Sequence, residues 1–224
     1  MPSPILVDMI EIGHLAHPGT QHGSNLCTYH CDNALGAWMI LDGIGGEGSA
    51  EYAAVAARDE LSRSLRQGLD AEQAIRAADK AVHALPKRGT GHATGTGCLV
   101  ALNQGPDLVL HWVGAAQAFC IEKRTDALSD LTAERGHLAA GSRTKALGVT
   151  ESTRLPIAER TVPLNDYSRV LLASEPVHTL VGAERICEIL TDKEISAQEM
   201  ADTLIFETLE AGTEDAVAVI VLKL

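Results

Sequence analysis

An apolar run that ends at Leu41 passes directly into Asp42-Gly43-Ile44-Gly45-Gly46, and a helix-patterned segment begins near Gly48. The succession predicts strand, tight turn and helix, with one carboxylate at the strand end beside three glycines. Because glycine has no side chain, an ion or a phosphate can approach such a backbone closely, and the corner suits a hard-metal site.

The rest of the chain alternates strand groups with helix pairs. Apolar runs near Ile5-Ile12 and Ala34-Leu41 predict the first strands. A helix is expected from about Gly48 to Gln67, with Ala50, Ala53, Ala54, Ala57, Leu61 and Leu65 on one stripe and Arg58, Arg63 and Arg66 outside it. A second helix starts after Asp70, with Gln73 as the partner of a capping box, and stops at Pro86. Strands near Gly95-Leu102, Asp107-Val113 and Gln117-Lys123 read as a meander, followed by strands near Glu159-Pro163 and Ser168-Ala173. Helices around Ala183-Leu190 and from Ser196, with Glu199 as its capping partner, precede a final apolar strand over Val217-Leu222. This order predicts an α+β fold, a four-layer α-β-β-α sandwich of two mainly antiparallel sheets flanked by helix pairs, with a ligand cleft between the sheets.

With 224 residues and 46% hydrophobic content the chain can bury a full core, and residues 1–224 are expected to form a single domain. A net charge of −12 and an aromatic content of 3% argue against nucleic-acid binding, which needs clustered Lys and Arg or a stacking platform. No run is long enough to span a membrane, and Met1-Pro2-Ser3-Pro4 has no basic region leading into an apolar stretch, so a cytoplasmic protein is expected. Five cysteines (Cys27, Cys31, Cys98, Cys120 and Cys187) fit reduced thiols. His14, His17, His22, Cys27, His30 and Cys31 lie close enough in sequence to raise the question of Zn²⁺. The group has no CxxC or HxxxH pair and falls in a segment expected to be extended, so unrelated surface and core positions are the plainer reading.

Five segments come in a telling order: Asp42-Gly43-Ile44-Gly45-Gly46; Gly95-Thr96-Gly97-Cys98-Leu99-Val100-Ala101; His111-Trp112-Val113-Gly114-Ala115; Arg169-Val170-Leu171-Leu172-Ala173-Ser174-Glu175; and Gly212-Thr213-Glu214-Asp215-Ala216-Val217. From about Val7 to its end the chain resembles the metal-dependent serine/threonine protein phosphatases of the type-2C (PPM) family. The resemblance implies a two-metal centre built from four aspartates, a further aspartate at a third metal, and an arginine that holds phosphate.

Only Asp42, with Gly43 beside it, matches that ligand set unchanged. The "NED" acidic pair falls on Leu26 and Cys27, and the "GD" aspartate on Ala115. The aspartates of "SDG" and "DN" fall on Glu175 and Glu214, with Asp215 as a spare acid one residue on. His22 stands at the phosphate-binding arginine, where a mostly neutral imidazole grips an anion less well than a guanidinium fork; a solvated loop histidine is its plainer role. Pro176, where the family has a flexible glycine, hints that this turn no longer arranges itself around a metal. The bacterial flap is expected to be missing, since only Arg135 to Arg143 fills its place.

Asp42, Glu175 and Glu214 are therefore expected to hold at most one weakly bound Mn²⁺ or Mg²⁺, or none. The leading expectation is a catalytically impaired phosphatase homologue that binds a phosphoprotein or another regulatory partner. Alternatives are an active Mn²⁺- or Mg²⁺-dependent phosphoserine/phosphothreonine phosphatase with an altered site, and a non-catalytic scaffold subunit of unspecified oligomeric state.

Overall fold

The computed structural model describes residues 10–20, 26–45, 49–86, 94–133 and 145–224. Along them run β1 (Glu11–His17), β2 (Cys27–Asp32), β3 (Ala37–Ile44), α1 (Ser49–Arg66), α2 (Ala71–His83), β4 (Gly95–Gln104), β5 (Asp107–Val113), β6 (Gln117–Glu122) and β7 (Leu128–Asp130). Next come β8 (Ala158–Pro163), β9 (Tyr167–Ala173), α3 (Glu175–Val181), α4 (Ala183–Thr191), α5 (Ala197–Glu210) and β10 (Val217–Lys223). Two five-stranded antiparallel sheets result, in the orders β1-β10-β9-β6-β7 and β2-β3-β4-β5-β8.

Period-2 alternation along the strands sorts side chains among three apolar layers. On β3, Trp38 and Ile40 point into the layer between the sheets, while Ala37, Met39 and Leu41 pack under α1 and α2. On β10, Ala218, Ile220 and Leu222 enter the same central layer, and Val217, Val219 and Val221 pack under α3, α4 and α5. The α-β-β-α sandwich expected from the sequence is thus the fold observed, with three helices rather than a pair on one outer face. Among the described residues no helix is long and apolar enough to cross a membrane.

Helix starts follow their capping chemistry. Asp70 accepts from the Gln73 amide at 2.7 Å while the Gln73 side chain accepts from the Asp70 N–H, and Ser196 and Glu199 repeat the reciprocal arrangement at α5. Side chains also dress an open edge. His14 N–H donates to the Gln198 amide oxygen and the His14 carbonyl accepts from the Gln198 amide nitrogen, both at 3.1 Å, on the edge strand β1.

Four expectations are corrected. β4 and β5 form a hairpin, but β6 pairs with β9 and β7 in the other sheet, so the meander is broken. The crossing occurs at Gly114, whose φ of +101° and 3.0 Å spacing from the Gly97 Cα to an added Cβ leave room for glycine alone. β3 does not stop at Leu41; it continues through Asp42 and Gly43 to Ile44. The first described strand is Glu11–His17, and residues 5–9 of the expected one lie outside the described residues. Finally, Glu175-Pro176 is no free turn but the start of α3, where proline is favoured because its missing N–H has no helical partner.

Candidate functional site

Asp42 reaches the site because it follows Trp38 and Ile40 at period two on the inter-sheet side of β3, close to the end of the strand. It lies opposite Cys27 on β2 and Gly97 on β4. Gly43 donates its N–H to the Leu26 carbonyl at 2.9 Å. A Cβ on Gly43 would sit 2.5 Å from the Ala50 carbonyl oxygen and 2.7 Å from that of Leu26. The space on the Cβ side of this glycine is therefore filled by the chain's own backbone, while Gly43 itself still lines the cleft.

The end of β3, the start of α3 and the 212–216 segment enclose a cleft of about 710 Å³. Four carboxylates line it: Asp42, Glu175, Glu214 and Asp215. Leu26, Ile44, Pro176 and Leu180 supply its apolar surface, and among the described residues lining it there is no Lys, Arg or His. The segment carrying Glu214 and Asp215 is pinned by Thr213, whose hydroxyl accepts from the Asp215 N–H at 3.2 Å and whose carbonyl accepts from Thr20 at 3.0 Å. Ser174 ties the α3 side down: its N–H donates to the Ala218 carbonyl and its hydroxyl accepts from the Ala218 N–H, each at 3.0 Å.

The electrostatics follow from this crowding. Burial first, then the Glu175 carboxylate, then that of Asp215, push the Asp42 carboxyl up to about 7, against a hydrogen bond from Cys27 that favours its ionised form. Asp215, the neighbour of the residue matched by sequence, is thus the acid that acts on Asp42, although both line the cleft. Cys27 is fully buried. Burial and the Asp42 charge hold its thiol well above the usual range, so the group across from Asp42 is neutral. Sequence reasoning placed Cys27 at the lost acidic position but missed its contact with Asp42, and it missed Ser174. The strand register between β2 and β3 is the signal that joins them.

A carboxyl raised in this way makes stability depend on pH. Between about pH 4 and 7 the folded state holds a proton on Asp42 that the unfolded chain releases, so stability falls as pH rises through that window. Asp42→Asn is therefore expected to be neutral near pH 4 and stabilising by roughly 2 kcal/mol at pH 8, about half the full linkage value because the group opens onto the cleft. Thermal melts of both proteins from pH 4 to 8 check this; parallel curves would contradict it.

The other sequence-predicted residues have separate surroundings. His22, Gly46 and the shortened flap around Arg135 to Arg143 lie outside the described residues. His14 bonds Tyr29, His17 accepts from the Gly19 N–H, and His30 bonds Ser62, so the described N-terminal histidines each face a different partner. Among the described residues no three His, Cys, Asp or Glu side chains converge on one point in ligating geometry.

No protein-family model matches the chain, and no curated protein matches it. Solved structures do. The Mycobacterium tuberculosis serine/threonine phosphatase PstP superposes with a TM-score of 0.78 at 21% identity, covering 96% of this chain and 98% of that one. The Mycobacterium smegmatis PPM Ser-Thr phosphatase MsPP, in complex with cacodylate, gives 0.75 at 17% identity over 95% and 97%. The PstP catalytic domain in complex with two manganese ions gives 0.75 at 20% over 96% and 99%. The fold of this chain is that of the PPM-type serine/threonine phosphatases.

Proposed function

We propose that this PPM-fold chain has lost most or all phosphoryl hydrolysis and acts by binding a regulatory protein partner in its cleft. The observation that carries the reading is the buried neutral thiol of Cys27 directly across the sheet from Asp42.

A pair of Mn²⁺ or Mg²⁺ ions, such as the PstP catalytic domain holds, needs several anionic oxygens within about 2.0–2.6 Å of each metal. Here a thiol replaces one oxygen donor of the pair, while Glu175 and Glu214 reach from one methylene further than aspartate would. The donors present do not fit two ions. Asp42, Glu175 and Glu214, or Asp215 in place of the last, fit at most one loosely held cation, whose contribution would be to draw their mutually repelling charges together. This reading places the chain in the cytoplasm as one unit over 1–224, acting in signalling without a nucleic-acid partner.

The convergence of four carboxylates on one cleft favours a second reading, an active phosphatase with an altered metal site. Turnover of p-nitrophenyl phosphate and of a phosphothreonine peptide, measured with and without Mn²⁺, separates the two. The expected result is no turnover above the Asp42→Ala background. Mn²⁺-dependent turnover that Asp42→Ala abolishes would establish the second reading instead.

A further inference from the structure

We infer that the cleft is a docking groove for a basic segment of a partner protein, in which an Arg or Lys side chain enters among Asp42, Glu175, Glu214 and Asp215 while its apolar neighbours lie against Ile44 and Leu180. The inference rests on the proposal that the cleft binds rather than hydrolyses, and it names the chemistry of what is bound.

The groove has the shape and surface of a docking site before charge is considered. Its volume of about 710 Å³ takes several side chains. Two large apolar residues stand exposed at it, Ile44 on β3 at 38% and Leu180 on α3 at 43% relative exposure. Exposed apolar side chains at a concave, polar-rimmed surface mark a place where a partner's own apolar residues gain by leaving water. The walls are also firmly held, since the reciprocal Ser174–Ala218 pair anchors the start of α3 and Gly43 is wedged against α1. A pre-formed groove loses little entropy on binding.

Charge then selects the occupant. All four ionisable residues lining the cleft among the described residues are acids, and the whole chain carries −12. A phosphorylated segment would bring a dianion into that field, and the described lining residues include no guanidinium or ammonium to receive it. An arginine or lysine brings the complementary charge, several N–H donors for the carboxylate oxygens, and an aliphatic stem that lies along apolar walls. The acids that repel one another in the free protein are relieved by the same event, so electrostatic complementarity steers this partner and rejects phosphopeptides.

The test is fluorescence anisotropy in EDTA, with three labelled hexapeptides: one alternating Leu and Arg, one alternating Leu and Glu, and one alternating Leu and phosphoserine. The Leu/Arg peptide is expected to bind and the two acidic ones are not. Glu175→Gln with Asp215→Asn should weaken Leu/Arg binding about tenfold or more while leaving the protein folded, because the change relieves repulsion. Glu72→Gln with Glu194→Gln removes the same charge from exposed positions outside the cleft and should change binding less than twofold. Leu180→Ser should weaken the Leu/Arg peptide severalfold and distinguish the groove from diffuse attraction. Equal losses in the two charge pairs, or tighter binding of the phosphoserine peptide, would overturn the inference. These outcomes are independent of the phosphatase assay: turnover sinks the binding-only function, whereas a failure here leaves the absence of turnover untouched.

Discussion

In EDTA, Cys27→Asp is expected to melt about 10 °C below the parent protein, and millimolar Mn²⁺ to recover most of the loss. Cys27 is fully buried and faces Asp42 across the β2–β3 ladder. The Asp42 carboxyl already sits at about 7, so a second carboxyl put in place of the fully buried Cys27 must either remain protonated or meet a like charge across the ladder. An uncompensated buried charge costs about 3–5 kcal/mol, and each kcal/mol moves the melting point of a domain of this size by about 2–4 °C. The loss should deepen as pH rises from 6 to 8, since ionisation is what is penalised. A divalent cation supplies the missing counter-charge and stabilises by mass action, so the variant becomes metal-dependent where the parent is not. Differential scanning fluorimetry with EDTA or Mn²⁺ decides the matter; a variant as stable as the parent in EDTA would show that the Cys27 pocket is open to water.

Gly43→Ala is expected to cost at least 3 kcal/mol, again about 10 °C, or to leave the protein insoluble. Only one methyl is added, but it meets two backbone carbonyl oxygens at 2.5 and 2.7 Å, and neither has the freedom of a side-chain terminus. Either α1 lifts from β3, opening the apolar layer that holds Met39, Leu41, Ala53 and Ala57, or β2 moves away with Leu26. Gly68→Ala is the companion measurement: nothing lies within 4 Å of its added Cβ, so any cost there comes from its positive φ alone and should stay near 1 kcal/mol. Urea titrations of both variants compare the two costs. A Gly43→Ala protein no less stable than Gly68→Ala would mean that the β3–α1 corner yields easily.

Much of this architecture was legible in the sequence because it is local. Alanines at helical spacing located α1, the Asp70/Gln73 and Ser196/Glu199 pairs located the starts of α2 and α5, and the run from Val217 located β10. Edge strand β2 was legible only as an extended segment, because Cys27-Thr28-Tyr29-His30-Cys31-Asp32 is mostly half-buried and shows no clean apolar alternation. Helix α3 escaped for its brevity, with seven residues opening on Glu-Pro. The allocation of β6 to the second sheet depends on pairing with β9, some fifty residues away in sequence, which no local pattern encodes. The site divides in the same way. Asp42, Glu175 and Glu214 were identified by motif and all line the cleft, whereas the thiol contact to Asp42 and the influence of Asp215 arise from strand register and loop path.

The Gln198 amide that clasps His14 has a consequence for how this protein behaves in a crowded cell. An outermost strand whose peptide groups stand open invites another copy to add on, and repetition of that event produces fibres. By occupying both the donor and the acceptor of one residue at the middle of that strand, a single glutamine mimics the missing neighbour and interrupts the row a newcomer would have to zip along. Protection from self-polymerisation is here supplied by a helix leaning over the margin of a sheet.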